Sequence, residues 1–168
     1  MGHRTARIFA SFGFYTRTDT VAHARLGREM GVLLPVRHST QLQSFHILTV
    51  GHNFRTVTFR LNLNAVQNDR PQNTLLRRDI IFSVNSLHLG WTEIDLHSNN
   101  IMLAGSQQVL AAIEWLTNEP EVTKVDFLDI LAHVSATHSI FVRDKSTQHW
   151  RKLGANPNMY FTGISYPE

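Results

Sequence analysis

"SQQVLAAIEWL", residues 106 to 116, reads either as a helix or as a strand, and the choice decides the fold class. As a helix it has Ser106 as a cap and apolar residues at Val109, Leu110, Ile113 and Leu116. As a strand it is a short apolar run ending in the β-prone Trp115, with Gly105 before it and Pro120 after it. A short apolar run cannot be assigned by its periodicity alone. The neighbouring segments have to decide.

Those neighbours read as strands. In "RTVTFRLNL", residues 55 to 63, Val57, Phe59, Leu61 and Leu63 point one way while Thr56, Thr58, Arg60 and Asn62 point the other. Asn68, Asp69 and Pro71 then supply turn chemistry. "DIIFSV" (79 to 84) is β-rich, and "GWTEIDL" (90 to 96) alternates, with Trp91, Glu93 and Asp95 on one face. Upstream, "MGVLLPV" (30 to 36) and "QLQSFHILTV" (41 to 50) fit strands, with Pro35 near an exit where the ladder tolerates it. Downstream come "HSIFVRD" (138 to 144), "HWRKL" (149 to 153) and "NMYFTGISY" (158 to 166). Only "VDFLDILAHV" (125 to 134) shares the helix-or-strand ambiguity of the opening stretch. Turn signals recurring at roughly 8 to 12 residues favour a sandwich or barrel over alternating α/β units.

Composition bounds the rest. A chain of 168 residues with 42% hydrophobic and 17% charged residues is one globular domain. With no cysteine, there is neither a disulfide framework nor a thiolate metal site. Residues 1 to 37 hold six arginines against Asp19 and Glu29, a balance of +4, while the remainder is nearly neutral. Residues 1 to 27 are therefore set apart as a basic leader, and 28 to 168 as the β-sandwich domain. No stripe of interleaved aromatic and basic residues accompanies that leader, so nucleic acid is not an expected partner. No run approaches the roughly 20 apolar residues of a membrane-spanning helix, and the start lacks the h-region of a secretory signal.

The series "FRLNL", "RDIIFSV", "GWTEIDL", "VLAAIEWL", "HSIFVRD", "HWRKL", "MYFTGISY" resembles a family of uncharacterised bacterial cell-envelope β-sandwich domains. The residues that carry the likeness are Phe59, Arg60 and Asn62; Ile80, Ile81 and Phe82; Gly90, Trp91, Asp95 and Leu96; Ile113, Glu114 and Trp115; and Arg143, Ser146, Trp150 and Lys152. Phe141 stands where that family has a tyrosine, and "TNEPEVTKVDFLDILAHVSAT" replaces a shorter Gly/Ser-rich stretch. The resemblance implies a jelly-roll-like fold in exported proteins, some carrying carboxypeptidase-regulatory-like modules. It brings no catalytic residues. It also tips residues 106 to 116 to a strand with Ile113 and Trp115 on one face and Glu114 on the other.

The expected fold is thus all-β: a single antiparallel β-sandwich, jelly-roll-like, with at most one short helix. Three constellations bear on chemistry. Trp91, Glu93 and Asp95 share one strand face, where a tryptophan beside carboxylates suits a glycan surface and a carboxylate pair suits glycoside hydrolysis. Glu114, set in "AAIEWL", needs a partner, for which Arg60 and Arg143 are the candidates. Ten histidines, His88, His97, His133 and His138 among them, raise a cupin-like metal site, but none forms a ligand motif. There is no G-x-S-x-G elbow and no phosphate-binding glycine loop. The expectation is a non-catalytic binding or structural accessory domain of a bacterial envelope protein, with no metal or cofactor. A carbohydrate-binding module and a glycoside hydrolase-like or metal-dependent enzyme are the alternatives. Expected partners are a glycan or another envelope protein, and the expected location is the cell envelope or outside the cell, with the cytoplasm as the alternative.

Overall fold

The computed structural model describes residues 4–8, 26–52, 54–85, 89–120, 128–130, 132–134, 140–145, 147–153 and 155–166. Most of the basic amino-terminal segment, together with His88, His138 and Ser146, lies outside the described residues. The strands in chain order are β1 (Arg4–Ile8), β2 (Glu29–Val36), β3 (Ser39–His52), β4 (Phe54–Gln67), β5 (Arg70–Thr74), β6 (Ile80–Asn85), β7 (Gly90–Asp95) and β8 (Met102–Leu103). They continue with β9 (Gln107–Pro120), β10 (Leu128–Ile130), β11 (Ala132–Val134), β12 (Ile140–Arg143), β13 (Arg151–Leu153), β14 (Ala155–Pro157) and β15 (Met159–Tyr166). Among the described residues the only helical turn is a 3-10 turn at His97–Asn99. The fold is an all-β antiparallel sandwich.

One sheet runs β1-β15-β3-β10, with β7 and β8 also paired to β3; the other runs β13-β12-β2-β9-β4-β5, with β6 also on β4. A small sheet joins β11 to β14. The opening stretch lies in β9, at the middle of the seven-stranded sheet between β2 and β4. The strands β10 and β11 take up much of the second ambiguous segment. Within the amino-terminal segment, Arg4–Ile8 pair with β15.

The core lies between the two large sheets. Phe45, Ile47 and Phe161 from one meet Phe59, Leu61, Phe82, Ile113 and Trp115 from the other. Phe45 contacts Phe82 edge-on at 5.9 Å between ring centroids. Each such side chain contributes roughly 1.5–3 kcal/mol by leaving water. Two local devices shape the seven-stranded sheet. Asn68 and Asp69 adopt left-handed φ values of 50° and 59°, and Gln67 pairs with Arg70, which makes a two-residue hairpin of the primed type. Pro35 sits in β2 beyond the stretch that pairs with β12, so its missing N–H breaks no bond to that strand.

This sheet is covered on its outer face as well. Leu110, Ala112 and Phe141 form a second buried cluster there, with Leu33, Val66 and Trp150 against it. Residues on β9 are therefore buried on both faces, Ala111 and Ile113 inward and Leu110 and Ala112 outward.

Candidate binding groove

The outer face of the seven-stranded sheet gathers polar residues that lie far apart in sequence. Strand register places Arg143 opposite Glu29, Glu29 opposite Glu114, and Glu114 opposite Arg60. The result is one row of charges across β12, β2, β9 and β4, with the two carboxylates inside and the two guanidinium groups outside. Arg143 Nη2 lies 2.7 Å from Glu29 Oε1, and Arg143 Nε donates to the same oxygen at 2.9 Å. Arg60 Nη1 donates to Glu114 Oε2 at 3.1 Å, while Arg60 Nη2 lies 3.4 Å from Asp79. Of the two arginines named for Glu114, Arg60 meets it and Arg143 meets Glu29.

Glu29 is fully buried. Its burial holds the carboxyl above the ordinary value of 4.5, against the opposing pull of Arg143; the neighbouring Glu114 adds to the rise. Asn62 Nδ2 donates to its second oxygen at 3.3 Å. A carboxylate so enclosed and paired is a structural group and is not set to act as a general acid.

Arg143 also reaches a tryptophan. Its guanidinium carbon lies 4.4 Å from the centroid of the Trp150 ring, inside the range of a cation–π contact. Lys152 Nζ lies 5.2 Å from the Phe141 ring and 3.2 Å from Asp69 Oδ2. That last contact joins β13 to the turn between β4 and β5.

Between these elements runs a groove of about 660 Å³. One wall is the β4–β5 hairpin, with Asn64, Asp69, Arg70 and Gln72; the other is the segment after β12, with Gln148, His149, Trp150 and Lys152. Phe141 and Arg143 line its base. The volume falls in the range of small-molecule sites, and the lining is mostly polar and charged, with Phe141 and Trp150 as its aromatic surface. A second cavity, of about 620 Å³, lies between residues 75–80 and 98–102 and is lined by Arg77, Arg78, Ser98 and Asn99 among others.

The Trp91, Glu93 and Asp95 constellation lies elsewhere, on the outer face of the six-stranded sheet. Trp91 is 47% exposed and meets Tyr160 edge-on at 5.0 Å. The Glu93 and Asp95 side chains are 66% and 75% exposed. Asp95 accepts from the His97 backbone N–H at 2.9 Å, and this bond, reinforced by the His97 ring, holds its carboxyl below the usual 3.8. These three residues line neither cavity.

Beside them, Ser44 Oγ lies 2.7 Å from His46 Nε2, and the same nitrogen lies 4.0 Å from Glu93 Oε1. A hydrolytic triad needs the serine and the carboxylate on opposite ring nitrogens. Here both face one, and Ser44 is buried and bonded to Thr162 at 2.6 Å. Among the described residues, no three of His, Asp and Glu come together in a way that could hold a metal ion.

Several groove residues, Phe141, Trp150 and Lys152 above all, belong to the "HSIFVRD" and "HWRKL" segments that the sequence marks as strands. Asp69 is marked only as part of a turn, and Arg70 carries no signal of its own. The available clue was the pairing of an aromatic and a basic residue in each of two consecutive short segments.

Sequence comparison matches the chain to no family model and to no curated protein. Structural comparison does find a likeness. The chain is similar to the crystal structure of the cysteine protease and lectin-like domains of Cwp84, a surface-layer-associated protein of Clostridium difficile. The TM-score is 0.54 at 10% identity, covering 83% of this chain and 33% of that one. At that identity the likeness concerns the fold alone, and the chain spans about a third of its neighbour's length.

Proposed function

We propose that this chain is a non-catalytic, carbohydrate-binding accessory domain of a bacterial envelope protein, and that its groove is the binding site. The observation that carries the reading is the groove itself: a Trp150 ring, backed by Arg143, set among the amide and charged side chains of Asn64, Gln72, Gln148 and Lys152. Sugar rings bind by laying their C–H faces on an aromatic ring while planar polar groups take their hydroxyls. The structural neighbour includes a lectin-like domain and is associated with a surface layer, and both properties support this reading. The motif resemblance to bacterial cell-envelope domains points the same way.

Catalysis has less support. Glu29 and Glu114 are held by arginines, Asp69 meets Lys152, and Glu93 and Asp95 are exposed on another face. The chain has no cysteine, so the nucleophile of a cysteine protease is absent from it. The test is a glycan array probed with the purified chain and with Trp150→Ala and Trp91→Ala. Binding abolished by the first variant and kept by the second is the expected result. Binding lost with Trp91→Ala and kept with Trp150→Ala would move the site to the six-stranded sheet, and no binding to any glycan would overturn the reading.

A further inference from the structure

We infer that the groove selects an acidic carbohydrate, a sugar carrying its own carboxylate, over a neutral one; this rests on the carbohydrate reading above. A sugar hydroxyl both donates and accepts, whereas a carboxylate only accepts and so is matched by a surplus of N–H donors. Arg70, Arg143 and Lys152 line the groove with cationic N–H donors, while the Asn64 and Gln72 amides already donate to the Gln72 and Arg70 backbone carbonyls. The single carboxylate in the lining is Asp69, and it is already met by Lys152 at 3.2 Å.

The charges lead to the same conclusion. Arg143 is balanced from below by Glu29, and Lys152 by Asp69. Arg70 remains as a cation of the wall, next in sequence to Asp69 and exposed. An ammonium has three donors, so Lys152 can keep Asp69 and still reach a ligand oxygen. A carboxylate entering beside Arg70 and Lys152 would meet donors on two sides. An arginine presents a planar fork that matches a carboxylate, which makes Arg70 the selecting residue. The Trp150 ring would hold the sugar and Arg70 would read its charge.

The test is calorimetric titration of the whole chain with a panel of uronic-acid oligosaccharides and with their methyl esters, at low and high salt. Esterification keeps the ring and removes the charge. The free acids should bind about tenfold more tightly than their esters at low salt, as expected for a hydrogen bond to a charged group, with the gap narrowing at high salt. Arg70→Gln should bring the acids down to the level of the esters, while Trp150→Ala should weaken both forms. Equal affinity for acid and ester, or an unchanged preference in Arg70→Gln, would overturn the inference and leave the carbohydrate reading standing. Binding of neutral array glycans without any uronic acid would do the same. Failure to bind any sugar would overturn the inference together with the reading it rests on. A folded state confirmed by circular dichroism for each variant keeps these outcomes distinct.

Discussion

Arg143 holds the buried Glu29 carboxylate through two nitrogens, at 2.7 Å from Nη2 and 2.9 Å from Nε. The same guanidinium lies on the Trp150 ring at 4.4 Å. A charge pair buried under the sheet surface thereby supports the aromatic wall of the groove. Its two partners should respond unequally to substitution. Burial raises the Glu29 pKa in spite of Arg143, so the enclosure opposes the carboxylate's charge. Glu29→Gln should therefore cost less than about 1 kcal/mol, the range of one neutral hydrogen bond. Arg143→Met leaves a buried carboxylate without its cation and should cost about 3 kcal/mol or more. The double variant should be more stable than Arg143→Met by itself. Urea denaturation of the three variants measures this, and equal costs for the two single changes would contradict it.

The pH dependence of stability carries two opposite signatures. The folded-state pKa of Glu29 is raised above 4.5, so the folded protein binds that proton more tightly than the unfolded chain does. Its contribution is fully present below 4.5 and is lost as pH rises through the folded value. Asp95 is the reverse: its pKa is lowered below 3.8, so its contribution is present above that value and is lost as pH falls through the folded one. Stability of Glu29→Gln should therefore fall less steeply on the alkaline side of 4.5 than that of the native chain. The His97 backbone amide, bonded to Asp95, should titrate with a midpoint below 3.8 in an NMR series. A midpoint at or above that value would mean the bond does not persist in solution.

Gly31 fixes how closely β2 and β9 approach under the groove. A Cβ at this position would lie 2.5 Å from the Ala111 carbonyl oxygen and 2.7 Å from Ala112 Cβ. Neither is the movable end of a side chain, so the strands themselves would have to shift. Gly31→Ala should destabilise the chain by about 1–3 kcal/mol, the usual range for overpacking. Thermal denaturation reads it, and an unchanged midpoint would show that the two strands separate without cost.

The difference between what the sequence discloses and what it hides has a physical basis. The strict alternation of residues 55 to 63 is plain because β4 buries Val57, Phe59, Leu61 and Leu63 on one face only. Residues 106 to 116 lose that alternation because β9 is central and covered on both sides, with Leu110, Ala111, Ala112 and Ile113 all buried. An apolar run of that kind fits a helix equally well, and the resemblance and the neighbouring strands were needed to assign it. The exposed Trp91 face could be read from "GWTEIDL" alone. The groove could not, since it needs β12 beside β2 and the Asp69 turn opposite Lys152, pairings of distant segments that no local pattern encodes. Glu29 counted in sequence only as an acid among arginines, yet it lies at the centre of the charge row.

The most direct test of the groove as the binding site uses the three tryptophans of the chain, Trp91, Trp115 and Trp150, whose indole N–H signals report on three places in one NMR spectrum. Trp91 lies on the opposite sheet, Trp115 in the core and Trp150 in the groove. Titration with a uronic-acid oligosaccharide should shift the Trp150 signal progressively and leave Trp91 and Trp115 in place. A shift at Trp91 with Trp150 unmoved would contradict the groove as the binding site and put recognition on the other face of the sandwich.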